Sequence, residues 1–230
     1  ALANSRGKTI IIEEFIVQDH PYMIAGDCFV VDGKVEFWGF LNSHRDKKVN
    51  PFVPVGTSYP ILISDKRLKI VKESIQRLFD LLNIRLGAFN IEIMFDSEDN
   101  LYFIEMGPRN GGNMIPDLLY MAIEVNMIAA TVESAIGNKY DFNQIKTSER
   151  FIATHVLHTD KTGLFKEVVI NPKIGKNILK KVIYKKQGDN VEYFEGANKA
   201  IGIVFMKFDS MGEMIEVMDN ADQWINVVVG

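Results

Sequence analysis

The chain has 230 residues, 47% of them hydrophobic and 24% charged, with a formal net charge of −4. That is enough chain to bury a sizeable core, as one large domain or two small ones, and its composition is ordinary for a globular protein. It has no basic stripe of the kind nucleic-acid binding requires, no apolar run as long as a membrane-spanning helix and no signal-peptide pattern. The single cysteine, Cys28, excludes an intramolecular disulfide framework and fits a cytoplasmic setting. Between Asp27 and Phe29 in a strand pattern, it reads as a buried inert thiol. His20, His44, His155 and His158 have no cysteine partners at zinc-ligand spacing.

The opening ALANSRGKT lacks an initiator methionine and reads as the tail of a helix running into a strand, as in a piece of a longer protein. Residues 9–16 (TIIIEEFI) are rich in β-branched side chains and are expected to form a buried strand with Glu13 and Glu14 near its end. Residues 27–42 pattern as a hairpin about an Asp32-Gly33 turn. The run His44-Arg45-Asp46-Lys47-Lys48 reads either as a solvated charged loop or as a source of a cation for phosphate or substrate. Residues 50–60, with three prolines and Gly56, are expected to be an extended loop. Residues 65–83 have the spacing of an amphipathic helix, with Leu68, Val71, Ile75, Leu78 and Leu82 on the inward face.

Residues 86–113, LGAFNIEIMFDSEDNLYFIEMGPRNGGN, are the most informative stretch. Two apolar runs flank the polar turn 96–100. If Asp96 pairs with Leu101, Met94 faces Phe103 and Glu92 faces Glu105. Like charges directly opposite are destabilising, and a divalent cation would remove that penalty, since Mg²⁺ favours one or two carboxylates plus phosphates and water. Two solvated glutamates, or one meeting a Lys or Arg, account for the same pattern. The next residues, Gly107-Pro108-Arg109-Asn110-Gly111-Gly112-Asn113, tilt the balance. Arginine is suited to bidentate contact with carboxylate or phosphate, and glycines let backbone N–H groups approach an anion closely.

Residues 117–136 read as a second helix with Leu118, Ala122, Val125, Ala129, Val132 and Ile136 inward and Gly137 closing it. The pattern changes near Ser148. Residues 151–158, 166–170, 179–185, 192–194 and 200–208 read as short strands, 210–220 as a helix with Ser210 and Glu213 at capping-box spacing, and 224–229 as a last strand.

Three segments, Ile12-Glu13-Glu14-Phe15-Ile16, Phe89-Asn90-Ile91-Glu92 and Phe103-Ile104-Glu105-Met106-Gly107-Pro108-Arg109, together resemble the ATP-grasp superfamily. These are ADP-forming ligases such as carbamoyl-phosphate synthase, biotin carboxylase, glycinamide ribonucleotide synthetase and the amino-acid ligases. The resemblance spans about residues 1–137. It implies an α+β fold, with 1–148 a partial ATP-grasp domain (an antiparallel sheet with packed helices) and 149–230 a small β-rich C-terminal domain. It also implies ATP and Mg²⁺ (or Mn²⁺) as cofactors. Glu13, Glu14, Phe15 and Ile16 correspond to the hinge that meets the adenine edge, Asp19 to an acid on the ribose, and Met94 to the apolar residue under the ring. Glu92 and Glu105 correspond to the metal-holding pair, Arg109 to the arginine that steadies the moving phosphoryl group, and Asn110, Gly111, Gly112 and His44 to acceptor contacts.

Two departures stand out. Many relatives carry a further metal ligand, asparagine, where this chain has Gly107; the phosphate-covering glycine loop and the lysine before it would precede Ala1. The expected function is therefore a piece of an ATP-dependent ligase that joins a small-molecule carboxylate to an amine, or less often a thiol, through an acyl-phosphate. The piece alone is expected to be inactive and to bind ATP poorly. Nucleic acid and membrane are not expected as partners, and a homodimer is left open. A non-catalytic nucleotide-binding or regulatory module, and a purely structural piece, are the competing readings.

Overall fold

The computed structural model describes residues 2–142 and 150–230. The chain is α+β, built on a large antiparallel sheet with helices on its faces. Strands β1 (Met23–Val31) and β2 (Lys34–Asp46) form the expected hairpin, with Asp32 and Gly33 both at positive φ in a two-residue turn. β3 (Asn50–Tyr59) follows, then helix α1 (Asp65–Leu81) and the hairpin of β4 (Gly87–Phe95) and β5 (Leu101–Gly107). Helices α2 (Ile115–Ile123) and α3 (Met127–Ala135) close the first half. The second half contains β6 (Phe151–Leu157), β7 (Gly163–Ile170), β8 (Ile178–Ile183), β9 (Asn190–Val191), β10 (Gly202–Phe208), α4 (Met211–Asp219), α5 (Ala221–Trp224) and β11 (Ile225–Val229).

One eight-stranded sheet runs in the order β5-β4-β1-β2-β3-β6-β10-β8, and a second of three strands in the order β11-β7-β9. The division expected at 148/149 falls within 143–149, outside the described residues. The strands on either side of it meet in the large sheet, where β3 pairs with β6.

Four expectations are corrected. Residues 9–16 form no strand: the segment is extended coil, with Ile12 87% exposed and Phe15 also out in solvent. High β-propensity becomes a strand only where a neighbour supplies the ladder, and among the described residues none flanks this segment. Residues 50–60 are not a loop but β3, central in the sheet. Its Pro54 lies opposite Arg45, where the register with β2 shifts, and a bulge is where a strand tolerates a residue with no N–H to give.

The helix expected over 117–136 is two helices, α2 and α3, bent by 111°. Glu124 takes a left-handed conformation and Asn126 restarts the helix, its side chain accepting from the Ala129 N–H. The break turns Val132 and Ile136 outward. Finally, α1 ends at Leu81, so Leu82 is the cap residue and 54% exposed, while Phe79 joins Val71 and Ile75 in the core. Those three pack against Ile91, Ile93 and Phe95 of β4. No single helix among the described residues is long and apolar enough to cross a membrane.

Deleting a buried aromatic leaves a cavity, whereas trimming an exposed leucine does not. Phe79→Ala is expected to cost about 3–5 kcal/mol and Leu82→Ala less than about 0.5 kcal/mol, as read by urea denaturation.

Candidate functional site

β4 alternates strictly. Ile91, Ile93 and Phe95 face α1, which leaves Asn90, Glu92 and Met94 in a row on the other face. Glu92 pairs with Glu105 as the sequence implies, but by a different route. The turn is one residue longer than expected: Phe95, not Asp96, pairs with Leu101, and Met94 with Tyr102. Asp96 instead organises the turn, its Oδ1 accepting from the Glu98 and Asn100 N–H groups at 2.9 Å each. That shift would carry Glu105 to the wrong face. An irregularity between the Ile93–Phe103 and Glu92–Glu105 pairs, which leaves Ile104 without an opposite residue, restores it.

The two carboxylates interact. Burial pushes the Glu92 pKa up, Arg45 opposes it, the Glu105 charge raises it further, and Arg109 opposes it again. Arg45 Nη2 lies 3.6 Å from Glu92 Oε2, and Arg109 Nη2 lies 3.5 Å from Glu105 Oε1. These are charge contacts, longer than hydrogen bonds. Among the described residues no hydrogen bond is made to either carboxylate, so their acceptor capacity is intact. No group of three or more His, Cys, Asp or Glu converges among the described residues. The donor set is thus two carboxylates, which fits a hard cation completing its shell with phosphate and water.

The Arg109 loop is held from below by a residue that the sequence reading passed over. Asp27, on β1, is fully buried, and both its carboxylate oxygens accept from the Gly111 N–H at 2.9 Å. Asn90 Nδ2 also donates to Asp27 Oδ1, at 2.9 Å, while Arg109 Nη1 donates to Asn90 Oδ1 at 2.9 Å. In the sequence Arg45 stands out only as part of the charged run 44–48. The available signal was a lone acid inside the apolar strand MIAGDCFVV and a polar residue on the Glu92 face of FNIEIMF. At Gly107 a Cβ would sit 3.4 Å from the Arg109 guanidinium carbon, in ordinary van der Waals contact, so packing there does not demand glycine.

The other expected residues divide. Met94 is buried on the Glu92 face. Asp19 is tied to the same end of β4, its N–H donating to the Phe95 carbonyl at 2.9 Å and its carboxylate 3.2 Å from Arg67. Glu14 lies close enough to Tyr102, the partner of Met94, to act on its hydroxyl electrostatically. Glu13, Glu14 and Phe15 are exposed and Ile16 half-buried, so the expected hinge segment passes the Met94 end as coil. Asn110 is turned to α3, where its Nδ2 donates to Thr131 Oγ1 at 3.0 Å. Its Oδ1 is buried without a hydrogen-bond partner among the described residues, and it does not make up for the asparagine absent at 107.

The Gly111 N–H is already committed to Asp27, while Gly112 is exposed. His44 is not brought to the site. It is buried on the opposite face of β2, its Nε2 2.9 Å from Ser58 Oγ and its Nδ1 3.7 Å from Asp219 of α4. Alternation along β2 puts Arg45, not His44, on the face of Leu41 and Ser43 that carries Glu92. Beside Arg109 a cavity of about 280 Å³ opens, lined by Phe29, Leu86, Ala88, Phe89, Thr131 and Ser134 among others.

Solved structures share this architecture over nearly the whole chain. Phosphoribosylglycinamide synthetase from Anaerococcus prevotii superposes with a TM-score of 0.77 at 20% identity, covering 100% of this chain and 58% of its own. L-amino acid ligase from Bacillus licheniformis gives 0.79 at 14% identity, covering 94% and 55%. A biotin carboxylase from Campylobacter jejuni, solved as a β-γ-ATP complex, gives 0.68 at 17%, covering 94% and 48%. The chain has the ATP-grasp fold.

No family model matches it. A curated relative, the uncharacterized protein y4rH of Sinorhizobium fredii (strain NBRC 101917 / NGR234), is 26% identical over 157 residues, which are 67% of this chain and 30% of that protein. The chain therefore spans about a third of that relative and about half of the ATP-grasp structures.

Burial pushes the Asp27 pKa up to about 6, against the Gly111 N–H, Asn90 and Arg109, which lower it. A carboxyl group whose pKa rises on folding holds its proton longer in the native state. Its contribution is full below the unfolded value near 3.8 and is lost as pH climbs through about 6. The stability of the wild type minus that of Asp27→Asn is expected to fall by on the order of 3 kcal/mol between pH 4 and 7, read by denaturant melts across that range. A flat difference would contradict the assignment.

Proposed function

We propose that this chain is the metal- and nucleotide-binding lobe of an ATP-dependent, ADP-forming ligase joining a small-molecule carboxylate to an amine. The observation that carries the reading is the Glu92–Glu105 pair, opposed on neighbouring strands, with no hydrogen bond to either acid among the described residues and flanked by two arginines. An arrangement that is electrostatically unfavourable when empty is favourable around a cation. Glu92 and Glu105 would hold Mg²⁺ (or Mn²⁺), which when bound neutralises phosphate charge.

Each of this chain's residues then has a task. Met94 and the Glu13–Asp19 segment, at one end of β4, would hold the base and ribose of ATP. Arg45 would face the phosphates beside Glu92. Arg109, beyond the glutamates toward the Gly87 end of β4, would take up charge as a carboxylate oxygen attacks the γ-phosphorus and ADP leaves. The amine then displaces phosphate from the acyl-phosphate. Such chemistry needs charge neutralisation and positioning more than acid–base groups. The cavity beside Arg109 is mainly apolar, so an acid with an apolar body would suit it. A cytoplasmic setting, with no nucleic-acid or membrane partner, goes with this reading, and a homodimer stays open.

Gly107 favours one alternative, a nucleotide-binding module without turnover, because it leaves the cation with two protein ligands. ADP release from ATP, measured on the longest native form of the protein with pooled small carboxylic acids and amines, separates the two. Turnover is expected to require Mg²⁺ together with an acid, and Glu105→Gln to lower it at least about 100-fold, the scale of removing one main electrostatic contact to the reacting charge. Mg²⁺-independent ADP binding without turnover would select the module. A wild-type rate in Glu105→Gln would remove the metal role.

A further inference from the structure

The Asp27 carboxylate is the most costly group around the site. It is fully buried on a strand where an apolar side chain would serve packing as well, and its burial opposes its charge. Its partners are the Gly111 N–H of the Arg109 loop and the Asn90 side-chain amide. Asn90 Nδ2 is committed to Asp27 Oδ1 at 2.9 Å and to the Gly26 carbonyl at 3.1 Å. An amide whose nitrogen is held on one side can present only its oxygen on the other. That oxygen receives Arg109 Nη1 at 2.9 Å, while the same guanidinium donates to the Asn110 carbonyl at 3.1 Å and reaches Glu105. The packing leaves no slack. A Cβ on Gly111 would lie 2.8 Å from Asp27 Oδ1, 2.8 Å from Ile115 Cδ1 and 2.9 Å from Asn90 Nδ2.

We infer that Asp27 is a positioning residue. It clamps the loop at Gly111 and, by fixing which way the Asn90 amide faces, sets the direction of the Arg109 guanidinium before any anionic ligand arrives. The ligand addressed is a carboxylate, and in that respect the inference rests on the ligase reading. The clamp itself does not, because it is a statement about Gly111, Asn90 and Arg109. The charged side chain that acts on Asp27 is Arg109 from the loop, which itself reaches Glu105. The neighbouring Cys28 lies in the core on the α1 side, and burial pushes its thiol above the titrating range.

Asp27→Asn and Asn90→Ala separate the two links, the second breaking the relay while leaving the Asp27–Gly111 contact in place. Three measurements on the longest native form of the protein read them: Mg·ADP affinity by calorimetry, acetate binding followed at the Arg109 Nε–H by ¹⁵N NMR, and the pH dependence of the Gly111 amide shift. In the wild type the Gly111 amide is expected to titrate with a midpoint near 6. In Asp27→Asn it does not; in Asn90→Ala it still does.

Both variants are expected to bind acetate at least about tenfold more weakly, the scale of one lost charge-assisted contact, with Mg·ADP affinity within about twofold of wild type. A purely structural role would lower both affinities together, along with the melting temperature, and would overturn the inference. So would acetate binding within about twofold of wild type in Asn90→Ala, which keeps the Asp27–Gly111 contact and tests the relay even if Asp27→Asn fails to fold. Failure of the ligase reading looks different: no Mg·ADP binding in any form, with the acetate and Gly111 readouts still as described.

Discussion

The constraint on which the rest depends is the two-sidedness of β4. Ile91, Ile93 and Phe95 are each almost completely buried against Val71, Ile75 and Phe79 of α1. Burying such side chains is worth roughly 1.5–3 kcal/mol apiece, so the strand can neither rotate nor slip by one residue without exposing the set. Asn90, Glu92 and Met94 are therefore lined up on the opposite face by packing they take no part in. The charged face is rigid because the apolar face is.

What that rigidity imposes is an electrostatic conflict. Glu105 is held opposite Glu92 by a bulge at Ile104, and the pair is moderated by Arg45 and Arg109 at distances too long for hydrogen bonds. A structural ion pair would close those gaps and satisfy the oxygens. Leaving them open keeps the carboxylate oxygens available as acceptors at the cost of local stability. Asp27 repeats the pattern one layer down, as a buried charge whose partners lie in or next to the loop it supports.

The ends of β4 tie the face to the rest of the chain. At the Met94 end, Asp19 donates to the Phe95 carbonyl, and Arg67 of α1 links Asp19 to Asp99 in the β4–β5 turn. The segment before Asp19 carries exposed Ile11, Ile12, Phe15 and Val17. At the other end β5 stops at Gly107, which pairs with Asn90, so the first residues of β4 have no strand neighbour on that side among the described residues, and Pro108 and Arg109 border the cavity there. The expected nucleotide and acid ends of the site thus lie at opposite ends of one strand, with the paired glutamates between them.

Local pattern alone was enough for the β1–β2 turn at Asp32-Gly33, the α1 face through Val71 and Ile75, the Ser210 cap and the opposition of Glu92 to Glu105. Each rests on side-chain period or turn chemistry within a few residues. The outcome at Glu105 was right although its turn was misjudged, because a bulge cancelled a one-residue shift. What needed the tertiary structure was anything set by a neighbour distant in sequence. Residues 9–16 have strand composition and no strand, β3 is a strand despite Pro54, and the 117–136 pattern breaks at Glu124. Arg45 rather than His44 meets Glu92, and Asp27 emerges as the support of Arg109. The physical reason is the same in each case. Propensity and period act along the chain, whereas the partner that satisfies a ladder, a buried charge or a guanidinium lies across the sheet, and only the fold decides which one that is.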